Sequence, residues 1–256
     1  MNNNELSTRK NTSLTPKLGD DTPLDSPGQC QEGAEWWANH VWQDFSYTYN
    51  EDGFRQTGPY PDADIIAVGD SFTEHHGGPE TEAWPKHVGK PIINLGMDGA
   101  GNDTIADIVE WGVNKFNPKT VLVMFSYLHR YNNAGEFKND DIDHKSGQDR
   151  MLHSFNRIKE CTKGLNFQYC FIPDKLMIRG DGRLGPGTTE KYTVEDVEWL
   201  NNNFPDRLKL FPLHDPKYIV GSPMYGFLFK WDYARDGHHF GPDTVRRIGY
   251  EFSQLI

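Results

Sequence analysis

The sequence predicts one α/β domain in which a parallel sheet is flanked by helices. Three observations carry this expectation. From residue 62 onward, short apolar runs alternate with segments of helical period, the pattern of successive βαβ units. With 256 residues, 36% of them hydrophobic, the chain suits one sizeable core better than two. The stretch IIAVGDSFTE, residues 65–74, runs four apolar residues straight into a glycine, an acid and two hydroxyls. A parallel sheet gathers its chemistry just beyond the carboxyl ends of its strands, which is where such a run puts polar groups.

In chain order, residues 1–30 are rich in Asn, Ser, Thr, Asp and Pro, with too few large apolar groups to offset the entropy of ordering. They read as a flexible or surface-draped arm, and residues 31–256 as the single domain. Trp36, Trp37 and Trp42 follow at near-helical spacing, then Phe45, Tyr47 and Tyr49 with period two, and core packing accounts for them better than ligand binding does. Strands are expected at 64–68, 91–95, 120–126, 166–172 and 207–211. Between the second and third, Asn102, Asp103 and Thr104 supply capping residues. Ile105, Ile108, Val109, Val113 and Phe116 supply the apolar stripe of a helix that Asn117-Pro118 should end. A second stripe, Val245, Ile248, Phe252 and Leu255, follows Gly241-Pro242 and predicts a C-terminal helix with proline near its first turn. No internal repeat is visible.

Charge and composition remove several function classes. Lys and Arg number 26 against 37 Asp and Glu, a formal net charge of −11 that repels a nucleic-acid backbone, so no nucleic-acid partner is expected. No apolar run approaches the roughly 18 residues of a membrane helix, and the opening MNNNELSTRKNTSLTPK lacks the apolar core of a signal peptide. The expectation is a cytoplasmic protein with no membrane partner. Cys30, Cys161 and Cys170 have unrelated spacings, which suits reduced, partly buried thiols better than disulfides or a zinc site.

The run into Gly69-Asp70-Ser71 has two readings. Gly69 would allow a tight turn, and Ser71 at the strand's carboxyl end could be a nucleophile with the backbone N–H groups of a following helix aimed at its ligand. Alternatively, Asp70 and Ser71 merely cap that helix. A serine attacks only if a base takes its proton, so a histidine with an orienting carboxylate is needed elsewhere. Near the C-terminus stands RDGHHFGP, residues 235–242. An Asp three residues before a His on a turn can reach the imidazole and fix its tautomer, and Asp236 and His239 fit.

Taken together, GDS after the first strand, NLGMDG (residues 94–99) after the second and D-x-x-H near the end resemble the SGNH (GDSL-type) hydrolases. The resemblance spans roughly residues 45–256 and includes NEDGFR, residues 50–55, which is similar to segments that precede GDS in some members. It implies a flavodoxin-like three-layer α/β/α sandwich with a mostly parallel five-stranded sheet. It also implies hydrolysis or transfer of acyl esters without a cofactor, with Ser71 as nucleophile, His239 as base and Asp236 as its orienter. The backbone N–H groups of Ser71 and Gly99 would then donate to the oxyanion.

One departure stands out. The family usually supplies a further oxyanion donor from an Asn after the third strand, where this chain has FSYLHR, residues 125–130. Alignment of the strand ends puts Leu128 at that place, and leucine cannot donate. Asn102, His129, Asn132 and Asn133 are the candidate replacements, with Asn102 the favoured one. His129, Arg130 and Trp231 are the candidate substrate contacts.

Other features have competing readings. His75 and His76 could line a pocket, although adjacent histidines point different ways and read more readily as surface residues. Asp232, Asp236, His238 and His239 could be metal ligands, but D-x-x-H is already explained and no HExxH-type spacing supports a metal. The glycine-rich stretch 179–187 reads as a mobile loop at the sheet edge or a plain solvated connection. Aromatics on every second residue of YGFLFKWDY, residues 225–233, would share one face of an extended chain. That face could stack on sugar rings or hold an acyl chain, with core packing as the duller reading. The function expected is therefore a serine esterase or deacetylase acting on a small or carbohydrate-linked ester. An acyltransferase with the same residues and a non-catalytic binding module are the alternatives.

Overall fold

The computed structural model describes residues 13–14, 46–56, 59–128, 130–133, 136–138, 144–172, 194–208 and 239–256. A short antiparallel pair comes first, β1 (Ser13–Leu14) with β2 (Tyr47–Thr48), with Leu14 opposite Tyr47. The main sheet is built from β3 (Ile65–Gly69), β4 (Ile93–Gly96), β5 (Thr120–Phe125) and β8 (Asn166–Phe171). Its spatial order is β4-β3-β5-β8 and every pairing is parallel, with Gly69 opposite Gly96 and Val68 opposite Val123. A small antiparallel hairpin, β6 (Tyr131–Asn133) and β7 (Glu136–Lys138), follows β5. All residues of β3 and β5 are buried, on both faces of the pleat, as expected of central strands in a sheet covered on both sides.

The helices are α1 (Ser71–Glu74), α2 (Asn102–Phe116), α3 (His144–Cys161), α4 (Val194–Asn203) and α5 (Pro242–Ser253). Helix α2 lies close on the sheet at Gly112, where a Cβ would come within 2.8 Å of Leu95 Cδ1. Arg157 of α3 ties the two helices together through Asp107 and Glu110. Helix α5 buries Val245, Ile248 and Phe252, and Phe252 stacks on Trp84 at 4.7 Å. Trp84 belongs to a 3₁₀ segment, Trp84–Val88, on which α5 packs so closely that a Cβ at Gly249 would lie 2.6 Å from the Trp84 carbonyl oxygen.

Four of the five expected strands fall within two residues of their predicted bounds. The fifth, 207–211, runs mostly outside the described residues. Residues 207–208 lie in a turn after α4, where Leu208 N–H donates to the Tyr169 carbonyl of β8. Two local expectations need correction and one holds. Helix α2 is capped by Gly101 without a side-chain bond, and Asn102 is its first residue. Asn117 does end that helix, in the left-handed conformation at φ +47°. Leu255 falls beyond α5 and is exposed, because the helix stops at Ser253. Among the described residues no helix is long and apolar enough to cross a membrane. Cys161 and Cys170 are free thiols, as expected.

Candidate active site

Three strand ends meet here: β3 at Gly69, β4 at Gly96 and β5 at Phe125. The glycine of GDS is needed for close approach more than for an unusual turn. A Cβ on Gly69 would lie 2.1 Å from Thr73 Oγ1 and 2.9 Å from the Met124 carbonyl, so only a hydrogen lets α1 fold back against the strand. Asp70 then does the capping. Its Oδ1 accepts from Phe72 N–H at 3.0 Å, while Oδ2 accepts from Ser126 Oγ at 2.7 Å and from Arg130 Nη1 at 2.8 Å. The carboxylate is fully buried, and a charged donor plus two neutral ones replace its lost hydration.

Ser71 is thereby released from capping. It is the first residue of α1, is 2% exposed, and its Oγ lies 2.8 Å from His239 Nε2. The two residues are 168 positions apart, and two aromatic contacts help hold them together. Phe240 packs on Phe72 with ring centroids 4.6 Å apart, and the His239 ring itself lies 4.7 Å from Phe72. Gly241, the N-cap of α5, follows directly. A serine hydroxyl bonded to an imidazole nitrogen can pass its proton to that nitrogen as it attacks an electrophile.

The loop after β4 is braced from the same short helix. Met97 N–H donates to the Gly69 carbonyl at 3.0 Å, and Asp98 N–H to Glu74 Oε2 at 2.5 Å. Asn94 bridges the strand end, donating to the Thr73 carbonyl and accepting from Gly96 N–H. Gly99 adopts φ +77°, the left-handed region that favours glycine. Among the described residues the backbone N–H groups of Ser71 and Gly99 have no hydrogen-bond partner.

Glu74 and Arg55 are contributors that the sequence reading missed. Glu74, 1% exposed, also accepts from Tyr49 Oη at 2.7 Å. Arg55 donates to the His75 carbonyl at 2.6 Å and the Gly78 carbonyl at 2.7 Å, with its guanidinium 4.1 Å from the centre of the Tyr47 ring. Burial lowers its pKa, opposed by Tyr47 and Glu74. Thus the segment NEDGFR buckles the chain before β3 onto the serine helix. Its Asn50 side chain shapes the turn by accepting from the N–H groups of Asp52 and Phe54. Resemblance flagged this segment, but nothing in its composition announced a buried cation.

Two expectations are corrected. The amide nitrogen of Asn102 donates to the carbonyls of Ser126 and Tyr127, and its Oδ1 accepts from Ser126 N–H. Its N–H groups are committed to holding the end of β5, so it is not placed as an oxyanion donor. His75 and His76, read preferentially as surface residues, are both buried. His75 closes α1 in the left-handed conformation. His76 stacks on His239, with centroids 5.2 Å apart and planes at 27°.

Leu128 is buried. Arg130 is brought to the site through Asp70. Asn132 and Asn133 lie in β6. His129, Trp231, Asp232, Asp236, His238, the 179–187 stretch and the 225–233 aromatics lie outside the described residues. Among the described residues no group of His, Cys, Asp and Glu is arranged to hold a metal ion.

No family model and no curated relative matches the chain. Solved structures similar to it include a protein provisionally described as a lipolytic protein of the G-D-S-L family from Desulfitobacterium hafniense DCB-2. That likeness has 11% identity and a TM-score of 0.49, covering 75% of this chain and 98% of the other. A protein from Streptococcus pneumonia provisionally described as a platelet activating factor is similar at 13% identity and TM-score 0.47, covering 75% and 83%. A provisionally described acylhydrolase from Bacteroides fragilis NCTC 9343 is similar at 11% identity and TM-score 0.40, covering 90% and 94%.

Proposed function

We propose that this protein is a serine ester hydrolase of the SGNH type, an esterase or deacetylase acting on a small or carbohydrate-linked acyl ester. The observation that carries the reading is the 2.8 Å contact between Ser71 Oγ and His239 Nε2 at the carboxyl end of β3. Ser71 attacks the ester carbonyl as His239 takes its proton, forming an acyl-enzyme and releasing the alcohol with that proton. Water, activated by the same imidazole, then releases the acid. Asp236 is the orienter of His239 in this scheme, and the N–H groups of Ser71 and Gly99 are the oxyanion donors. The carbohydrate preference rests on the aromatic alternation of residues 225–233.

A fluorophosphonate probe tests the reading directly. The expected result is stoichiometric labelling that maps to Ser71, with turnover of p-nitrophenyl acetate and an acetylated sugar abolished in the same sample. Absence of labelling, with equal residual turnover in wild type and Ser71→Ala on every ester tried, would favour a non-catalytic module. Transfer of the acyl group to an added alcohol in preference to water would point to an acyltransferase.

A further inference from the structure

The His239 ring packs against two aromatic neighbours from the segment that follows β3. Phe72 meets it at 4.7 Å with planes at 52°, and His76 at 5.2 Å with planes at 27°. His76 is 1% exposed and has its own supports. Its Nδ1 lies 3.3 Å from Asp98 Oδ1, and its ring packs 5.0 Å from that of Tyr47. Asp98 is in turn anchored by its backbone N–H on Glu74, and Tyr47 by its hydroxyl, which accepts from Gly77 N–H at 2.7 Å. The His76 ring is therefore a fixed plane, held from β2, from α1 and from the loop after β4.

We propose that His76 is a positioning residue for His239, a flat wall that keeps the imidazole plane in the orientation that presents Nε2 to Ser71 Oγ. The inference deepens the esterase reading and rests on it. A hydrogen bond to one ring nitrogen constrains where that atom sits but resists tilting of the ring only weakly. A near-parallel ring stacked on the imidazole resists the tilt itself, at a centroid distance in the favourable range for such pairs. Nε2 must stay aligned with the serine hydroxyl while the proton moves, and small misplacements of a reacting group cost large factors in rate. His76 itself neither gains nor loses a proton in the step. Its flatness and its anchoring are what the geometry uses.

Three variants test this against a purely structural role. His76→Leu keeps most of the buried volume without a plane, His76→Phe keeps a plane without the Asp98 contact, and His76→Ala removes both. Asp98 is 27% exposed at its side chain, so water can replace the lost contact in the Phe variant. For His76→Leu and His76→Ala, kcat on p-nitrophenyl acetate and the rate of fluorophosphonate labelling at Ser71 should fall together by roughly 10- to 100-fold, with KM within about twofold. His76→Phe should recover to within about threefold of wild type. Wild-type labelling rates in His76→Leu, or a Phe variant as slow as the Leu variant, would overturn the inference while leaving the esterase reading intact. If the wild-type protein is itself not labelled at Ser71, both fall together.

Discussion

Asp70 and Ser71 are adjacent, and the structure gives them different work. Asp70 caps α1 and pairs with Arg130 and Ser126, while Ser71 makes no cap bond and faces His239. Substitutions at the two positions should therefore separate stability from activity. Ser71→Ala should remove about a thousandfold or more of the turnover, as triad knockouts do, with the melting temperature changed by no more than about a degree. Asp70→Ala should be the reverse in stability. It removes a cap worth about 1 kcal/mol and the contacts of the buried carboxylate with Ser126 and Arg130, so the loss of stability should exceed that of the cap alone. Paired melting curves and ester assays on the two variants check both statements. If Ser71→Ala melted several degrees lower, the division of labour between the two residues would be wrong.

At the scale of elements, the site depends on how closely α1 is drawn onto the ends of β3 and β4. Gly96 meets the backbone of α1 directly, since a Cβ there would lie 2.2 Å from Glu74 N and 2.6 Å from the Thr73 carbonyl carbon. These are backbone atoms of the serine helix and have nowhere to go. Gly96→Ala should push α1 off the strand end, lowering the melting temperature and shifting Ser71 from His239, so labelling at Ser71 slows along with the loss of stability. A fully active, equally stable Gly96→Ala protein would show that α1 tolerates displacement. A second seam, between α5 and the 3₁₀ segment, gives a dependence on pH. Burial lowers the pKa of His87 there, with Arg246 adding to the effect and Glu82 opposing it. Below its ordinary value of 6.5 the unfolded chain takes up a proton that the folded one resists, so this residue makes stability fall as pH drops below that point. The melting temperature of the wild type should fall more between pH 7 and pH 5 than that of His87→Gln.

At the scale of the molecule, the two buried or half-buried thiols report on cooperative unfolding. Cys170 sits in β8, fully buried, and burial pushes its thiol well above the ordinary range; the half-buried Cys161 on α3 is pushed up to about 11, with Glu110 adding to the effect of burial. A thiolate is the reactive form, so both should resist alkylation under native conditions near pH 8. Cys170 should be alkylated only at the rate of global opening, because it is fully buried in the core even though β8 is the outer strand of the described sheet. Peptide mapping after timed alkylation in increasing urea should show its modification tracking the unfolding curve. Early modification of Cys170, well before that curve, would mean that β8 opens independently of β3 and β5.

What the sequence determined by itself was local. Four apolar runs identified four strands, the stripes ending at Phe116 and Leu255 identified α2 and α5, and GDS with D-x-x-H singled out Ser71 and His239. Each of these signals resides in the side-chain periodicity or turn chemistry of a few consecutive residues, so it can be read along the chain. Tertiary structure decided everything that depends on residues far apart meeting. Asn102 has the chemistry of a cap or an oxyanion donor, yet the end of β5 lies beside it and takes its hydrogen bonds. His75 and His76 look like surface residues until Tyr47, Asp98 and His239 close around the segment. Glu74 and Arg55 stand in stretches that the sequence singles out, IIAVGDSFTE and NEDGFR, but nothing in either announces a buried charge. They are buried because the chain before β3 folds over the serine helix, and a buried charge is tolerated only where partners such as Tyr49 and the carbonyls of His75 and Gly78 come to meet it.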